Sequence, residues 1–173
     1  MKIDAEALND GMLEHQETQE QEAKIIKLEE TQPAVLAYLL SENFQSFSEK
    51  ERDYLFFLSL VVCLSVRSLH PTTDPISEAQ IDKAEVLNWD KLEGIKEKKL
   101  RDRWTPFFTD YPQEDLLAFV EDALEIDEEQ EMSREVREII CISMKSLIDE
   151  LINADWVVGM KSNKNYLPQI MSI

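Results

Sequence analysis

Glycine is scarce in this chain, which has only three in 173 residues. All-β folds reverse direction at many tight turns, and such turns depend on glycine, asparagine and proline. A chain with so few glycines has few tight turns, and the sequence therefore predicts an all-α protein. A chain of this length has the ordinary size of one domain, so it can bury a core without disulfide or metal cross-links.

Local signals mark where helices begin. Ser48 followed by Glu51, and Ser77 followed by Gln80, have the spacing of a capping box, in which a serine oxygen and an acid or amide satisfy the first free N–H groups of a helix. Pro33 suits the first turn of a helix, where its missing N–H costs nothing. Together with the helical spacing of the apolar residues, these signals predict a single-domain helical bundle of about six helices.

One segment is apolar on every side. It extends from Tyr54 to Val66 and is interrupted only by Ser59 and Ser65. A helix of this kind has to be surrounded by protein, so we expect a helix over about residues 54–69 to lie at the centre of the bundle. The segment is too short for a membrane span, which needs about 20 such residues.

The two ends of the chain differ from its middle. Residues 1–31 carry nine acids and three lysines, and Gly11 weakens any helix that passes through it. We therefore expect residues 1–31 to form an acidic, partly helical N-terminal arm and residues 32–173 to form the helical domain. From about residue 156 the sequence has no acids and no clear period, which predicts an irregular C-terminal tail.

The chain is strongly acidic, with a formal net charge of −18. Such a field repels nucleic acid and anionic membranes and attracts basic partners. The partners expected are therefore another protein or a second copy of this chain, with no nucleic acid and no membrane.

The acids are concentrated in residues 112–155, which hold 14 acids and three bases, a net charge of −11. Four glutamates at its centre form a candidate partner-binding acidic face: Glu125, Glu128, Glu129 and Glu131. The alternative is that these acids only coat solvated helix surfaces.

A basic stretch interrupts this acidic composition. Residues 96–103 hold five bases and two acids, and aromatic residues follow at once. We expect a short helix from about Ile95 to Arg103 that ends before Thr105 and Pro106. The candidate basic–aromatic patch consists of Lys98, Lys99, Arg101, Arg103 and Trp104. Such residues can bind nucleic acid by phosphate contact and stacking, but the net charge favours pairing with the protein's own acidic helices.

Aromatic residues, several of them amphipathic, are numerous around this stretch. Six of them are candidates for lining a small-molecule cavity between the basic helix and the central helix: Tyr54, Trp89, Trp104, Phe107, Phe108 and Tyr111. Tyrosine and tryptophan need partners for their polar atoms when they are buried. Ordinary core packing is the alternative that we favour.

Residues suited to catalysis or metal binding are few. His15 and His70 are the only histidines, and neither stands in a Glu-x-x-His pair of the kind that di-iron bundles use. The three glycines are too far apart for a phosphate-binding loop or a nucleophile elbow. The sequence therefore predicts no cofactor and no catalytic centre.

The two cysteines indicate the compartment. Cys63 and Cys141 both lie in apolar runs, where a free thiol behaves as a small hydrophobic group. No apolar stretch follows Lys2, so the N-terminus does not read as a secretory signal. We expect reduced, buried thiols in a cytoplasmic protein.

Three hypotheses for the function follow. The first is a non-enzymatic helical interaction or regulatory protein, capable of self-association through an apolar helix face. The second is an acidic inhibitor or immunity-like protein that blocks a basic partner by charge complementarity. The third is a carboxylate-based metal enzyme or a small-molecule binder. The motivation for the first is a large helical core without site chemistry.

Overall fold

The computed structural model describes residues 18–71, 74–96, 99–125 and 132–162, with side chains described from Glu22 to Asn153 within those ranges. This part of the chain is helical and contains no strand, which confirms the predicted all-α fold. Its α-helices are, in chain order, α1 (Thr18–Thr31), α2 (Pro33–Leu39), α3 (Glu49–Leu69), α4 (Glu78–Glu93), α5 (Leu100–Phe108), α6 (Glu114–Glu125) and α7 (Arg134–Ser162). A short 3-10 turn, Glu42–Phe44, joins α2 to α3.

The predicted helix starts are confirmed. The Ser48 N–H donates to Glu51 Oε2 over 2.7 Å, and the Glu51 N–H donates to Ser48 Oγ over 3.3 Å. Ser77 and Gln80 make the same reciprocal pair at the start of α4. Pro33 occupies the first turn of α2. Each of these signals is a contact within one helical turn, which is why the sequence alone reveals it.

Helix α3 lies deep in the core. Leu58 and Val62 are completely buried, and so is Ser59, whose hydroxyl donates to the carbonyl oxygen of Leu55 over 2.8 Å. This helix packs against α1 and α7. The apolar run that the sequence shows from Tyr54 to Val66 therefore supplies much of the core.

Helix α7 contacts more of the bundle than its sequence pattern indicates. It packs against α3, α4 and α6. Residues 140–148 are all buried, so every side of the helix faces protein over that length. This buried length includes Ser143, Lys145 and Ser146, and their polar atoms require partners inside the protein.

The predicted bounds of the basic helix are wrong. Helix α5 begins at Leu100, extends to Phe108 and contains Pro106, which we expected to lie beyond its end. Trp104 and Phe107 are each 2% exposed, and a helical turn between them points both side chains into the core. The packing of two large aromatic rings outweighs the hydrogen bond that proline cannot make.

The ends of the described chain also differ from expectation. Helix α7 continues to Ser162, past the start of the irregular tail predicted near residue 156, and Pro168 is the first proline after it. Helix α1 packs against α2 and α3 and buries Leu28, so the second half of the predicted arm contacts the domain. Residues 1–17 and 163–173 lie outside the described residues, and the division into arm and domain stays a prediction.

Within the described ranges, none of the helices combines the length and the apolar character that crossing a bilayer requires.

The capping box of α3 provides a test of the fold. Changing Ser48→Ala removes the oxygen that accepts from the Glu51 N–H, and we expect the free energy of unfolding in urea to fall by about 1 kcal/mol. Ser46→Ala, two residues earlier in an exposed turn, is the matched control and should change it by less than about 0.5 kcal/mol. Equal effects of the two changes would contradict a stabilising role of the capping box.

Candidate functional site

A layer of polar side chains lies between α4 and α7. Helix α4 buries Ile81, Ala84, Asn88 and Leu92 along one face. Opposite them, Ser143 and Ser146 of α7 are completely buried. Serine is small enough to let two helices approach closely, and its hydroxyl can return a hydrogen bond to its own helix or to the neighbour.

The first cluster of this layer joins three helices. The Tyr38 hydroxyl of α2 donates to Glu85 Oε1 of α4 and lies 2.8 Å from Ser143 Oγ of α7. The Ser143 hydroxyl also donates to Glu85 Oε1, over 3.3 Å. Burial raises the pKa of Glu85, although both hydroxyl donors oppose that shift. Burial and the nearby Glu85 charge raise the pKa of Tyr38 as well, so its hydroxyl keeps its proton.

The second cluster is centred on Asp149. Its Oδ1 accepts from the Tyr111 hydroxyl over 2.8 Å and from Lys145 Nζ over 2.6 Å. Its Oδ2 accepts from Lys145 Nζ over 2.7 Å and from Asn88 Nδ2 over 3.1 Å. The Lys145 ammonium also lies 4.2 Å from the centre of the Tyr111 ring. Asp149 thus ties α4, the connection before α6, and α7 together.

The positive and negative charges in this second cluster balance each other. Lys145 is only 6% exposed, and burial lowers its pKa while the Asp149 carboxylate acts in the opposite direction. A carboxylate has about four lone-pair positions, and each Asp149 oxygen already accepts two hydrogen bonds. The arrangement suits a structural tie between helices better than a general base or a metal ligand.

The described residues contain no group of three or more His, Cys, Asp and Glu side chains arranged to hold a metal ion.

An open groove of about 310 Å³ lies beside the Asp149 cluster. This volume is at the lower end of the range for ligand sites in proteins. Its apolar lining consists of Ala84, Leu87, Pro112 and Ile152. Its polar lining consists of Asn88, Tyr111, Asp149, Glu150 and Asn153. Two acids and no base line the groove among the residues that the structure describes.

The rim of the groove carries exposed apolar side chains. Leu87 lines the groove and is 60% exposed, and its neighbour Val86 is equally exposed. Both lie on α4 outside the buried stripe of that helix. We call the surface from Leu87 across to Asp149 and Glu150 the α4–α7 groove, and Val86 lies beside it. The sequence analysis missed it, and the one available signal was an apolar pair on the polar side of α4.

The predicted acidic face is described only in part. Glu125 is the last residue of α6 and is exposed, with Oε2 lying 3.9 Å from Arg101 Nη1. Glu128, Glu129 and Glu131 lie outside the described residues.

The predicted basic–aromatic patch does not form one exposed surface. Arg103 Nε lies 3.5 Å from Glu138 Oε1, and Trp104 is buried in the core. Lys99 and Arg101 are exposed, whereas Lys98 lies outside the described residues. Arg101 and Arg103 thus lie beside the protein's own acids, as the alternative expects.

The six candidate cavity aromatics are all part of the core or packed against it, and one of them, Tyr111, also lines the α4–α7 groove. The rings of Trp104 and Phe107 lie 4.6 Å apart, centre to centre, and both are buried. The gap beside Trp104 and Phe108 has no room for a water molecule. Tyr54 donates its hydroxyl to the carbonyl oxygen of Ala123, and Trp89 is only partly buried.

Comparisons of this chain with protein-family models, with curated proteins and with solved structures found no match. The function is therefore inferred from the residues of this chain alone.

The Asp149 cluster predicts a large cost for removing one charge. Asp149→Ala leaves the buried Lys145 ammonium without its carboxylate, and we expect the free energy of unfolding to fall by about 3–5 kcal/mol. Changing both residues together, Lys145→Met with Asp149→Leu, should cost less than Asp149→Ala, because no buried charge is left unpaired. Urea denaturation measures all of these values.

Glu150→Ala is the matched control for this test, because Glu150 is the neighbouring acid on α7 and its recorded hydrogen bond, from Gln80 Nε2, is an exposed one. It should lower the free energy of unfolding by less than about 1 kcal/mol. An equally small effect of Asp149→Ala would mean that solvent already screens the Lys145 charge.

The Glu85 cluster predicts a pH dependence. Because burial raises the folded-state pKa of Glu85 above its usual 4.5, the folded protein binds this proton more tightly than the unfolded chain does. The stability that this residue contributes is therefore greatest below pH 4.5 and is lost as the pH rises through the folded-state pKa. Glu85→Gln mimics the protonated form. As the pH rises from 4.5 to the folded-state pKa of Glu85, this variant should therefore become increasingly more stable than wild type.

Denaturation of both proteins across this pH range tests the Glu85 prediction. Glu78→Gln, an acid exposed in the first turn of the same helix, controls for the general effect of removing one negative charge. A Glu85→Gln curve that follows the Glu78→Gln curve would contradict the prediction.

Proposed function

We propose that this chain is a non-enzymatic helical interaction protein, which binds a basic, amphipathic segment of a partner protein in the α4–α7 groove. The observation that carries the proposal is the combination of exposed apolar side chains with an acidic lining in that groove. The carboxylate at its floor, Asp149, is committed to structural hydrogen bonds, which leaves the groove suited to docking.

The apolar part of the surface favours a partner protein over a small molecule. Val86 and Leu87 are both 60% exposed, and Val86 lies outside the groove itself. The apolar surface is therefore wider than the groove, as expected where the apolar side of a partner helix lies along it. Contiguous exposed apolar side chains with a polar border are typical of interaction surfaces.

The charges favour a basic partner. Lys145 compensates Asp149, whereas Glu150 adds a negative charge at the groove, and within the described residues its one hydrogen bond comes from the Gln80 amide, over 3.3 Å. The net charge of −18 extends the attraction over the whole molecule. Opposite charges steer two proteins together and fix their orientation. A partner whose lysines or arginines flank its apolar residues matches both properties of the groove.

A second copy of this chain is the alternative occupant. Residues 96–103 are the basic part of the sequence, and Lys99 and Arg101 are exposed. Self-association of this kind would pair the basic stretch of one copy with the acidic groove of another.

A second candidate function is the acidic inhibitor that blocks a basic protein through the face formed by Glu125, Glu128, Glu129 and Glu131. The exposure of Glu125 and the net −11 of residues 112–155 support it. Lysine at all four positions should then slow association with a basic partner, and the wild-type rate should fall as salt is added. An unchanged association rate would exclude this face.

The two thiols support a reducing, cytoplasmic setting for either function. Cys63 and Cys141 are buried and unpaired, and buried thiols of this kind persist where no disulfide-forming system acts on them.

Site-specific photo-crosslinking in the cells that make the protein tests the proposal. A photoreactive phenylalanine analogue at position 87 should give one defined crosslinked product, because Leu87 lies at the proposed contact. The same analogue at position 40 is the control, since Leu40 is 77% exposed and does not line the groove. A product with twice the mass of the chain would identify the second copy as the occupant.

Two outcomes of the crosslinking would contradict the proposal. One is the absence of any product at position 87. The other is the same set of products at positions 87 and 40, which would indicate random collision rather than a specific surface.

A further inference from the structure

A small cavity of about 50 Å³ lies between α1, α3 and α7, and its lining shares no residue with the α4–α7 groove. Its walls are apolar side chains from the three helices: Leu28, Leu60, Cys63, Leu64, Val66 and Leu151. Burial raises the pKa of the Cys63 thiol to about 12. This thiol therefore stays protonated at neutral pH and belongs to the apolar wall.

Two bases line this cavity. Lys27 is exposed and Arg67 is partly buried. Arg67 Nη1 has no contact with solvent, and within the described part of the chain it donates no hydrogen bond. A buried charged donor without an acceptor is costly, so this nitrogen is suited to meet an anion.

The other polar side chains at the cavity are committed elsewhere. The Thr31 hydroxyl donates to the carbonyl oxygen of Lys27 over 2.6 Å. The Gln32 amide donates to the carbonyl oxygen of Asp74 and accepts from the N–H of Ile76. The remaining polar side chains of the described lining are therefore the two bases.

The charge of the lining departs from that of the chain. The sequence has 36 acids and 18 bases, yet the charged side chains that line this cavity, among the residues described, are two bases and no acid. We propose that the cavity binds a short-chain carboxylate, with the carboxylate between Lys27 and Arg67 and the alkyl chain against Leu60 and Leu151. A guanidinium and a carboxylate form charge-assisted hydrogen bonds of high geometric specificity.

The polarity of the cavity distinguishes a free acid from a protein side chain. Among the lining residues, Lys27 is exposed and Arg67 is partly exposed, whereas Leu60 and Leu151 are each 2% exposed or less, so the charged end of the cavity is the end nearer to solvent. A ligand must therefore place its carboxylate outside and a free alkyl end inside. A glutamate side chain does not fit, because the end opposite its carboxylate is attached to a protein backbone, and the cavity has no room for a backbone.

The volume limits the length of the chain. A cavity of about 150 Å³ holds benzene, and this one is smaller, at about 50 Å³. Only a few carbons fit, so butyrate is the probe of choice. Affinity should rise about fourfold for each methylene that is buried between acetate and butyrate. Octanoate should bind no more tightly than butyrate by this measure, because its additional carbons would remain in water.

Isothermal titration calorimetry of the full chain with sodium butyrate tests the proposal. We expect saturable binding of butyrate, and none of n-butanol or n-butylamine at the same concentrations, because both lack the carboxylate. Arg67→Gln should weaken butyrate binding by at least about tenfold, since it removes a charge-assisted hydrogen bond. Arg52→Gln, at an exposed position of the same helix, is the matched control and should leave the affinity unchanged.

Lys27→Gln keeps the test independent of folding. Lys27 is exposed, so this change leaves the core intact and should still weaken butyrate binding severalfold. Two results with wild type would overturn the proposal: butyrate binding that does not saturate, or butanol binding as tight as that of butyrate. An affinity of Arg67→Gln or Lys27→Gln for butyrate equal to that of Arg52→Gln would also overturn it. So would binding of N-acetylglutamate amide, a capped glutamate side chain, as tight as that of butyrate. None of them depends on the α4–α7 groove or on its partner.

Discussion

The complete burial of the middle of α7 is the constraint on which the rest of this structure depends. Residues 140–148 face protein on every side of the helix, although Ser143, Lys145 and Ser146 are polar. Buried polar groups are costly unless they are hydrogen-bonded, and a buried ammonium also needs an opposite charge. The helices around α7 therefore have to supply acceptors and donors at defined positions as well as apolar surface.

Helix α4 supplies a partner for each of the two buried serines, whereas the charge opposite Lys145 is Asp149 of α7 itself. Asn88 bonds Ser146 and Asp149, and Glu85 meets Ser143. Because hydrogen bonds have a narrow range of lengths and angles, this layer fixes the rotation of α4 about its axis more closely than apolar packing would. That rotation leaves Val86 and Leu87 outside the core, which creates the apolar rim of the proposed docking groove.

The part of the fold that the sequence predicted correctly rests on contacts within one or two helical turns. The capping boxes at Ser48 and Ser77 and the proline at the start of α2 are local, and each was found. Pro106 was misjudged because the gain that keeps it in a helix comes from the burial of Trp104 and Phe107. Local helix propensity does not include the free energy gained by burying side chains against other parts of the fold.

The α4–α7 groove could not be predicted from the sequence for a similar reason. Asn88 is separated from Asp149 by 61 positions and Tyr111 by 38, so their meeting at one carboxylate depends on the folded arrangement. Glutamate and aspartate are also so numerous in this chain that no single acid stands out in the sequence. The charge of the basic stretch did make it conspicuous in the sequence. In the structure, however, Arg101 and Arg103 form ion pairs with Glu125 and Glu138.

Native-state hydrogen exchange along the whole chain tests most directly whether the polar layer holds α4 against α7. If it does, the buried amides of α4 and those of residues 140–148 open together, and their exchange reports the same free energy as global unfolding. Exchange of α4 through a separate opening, at a clearly lower free energy than the middle of α7, would contradict the account. The α4–α7 groove would then be a transient surface, and the proposed docking site would lose its rigid floor.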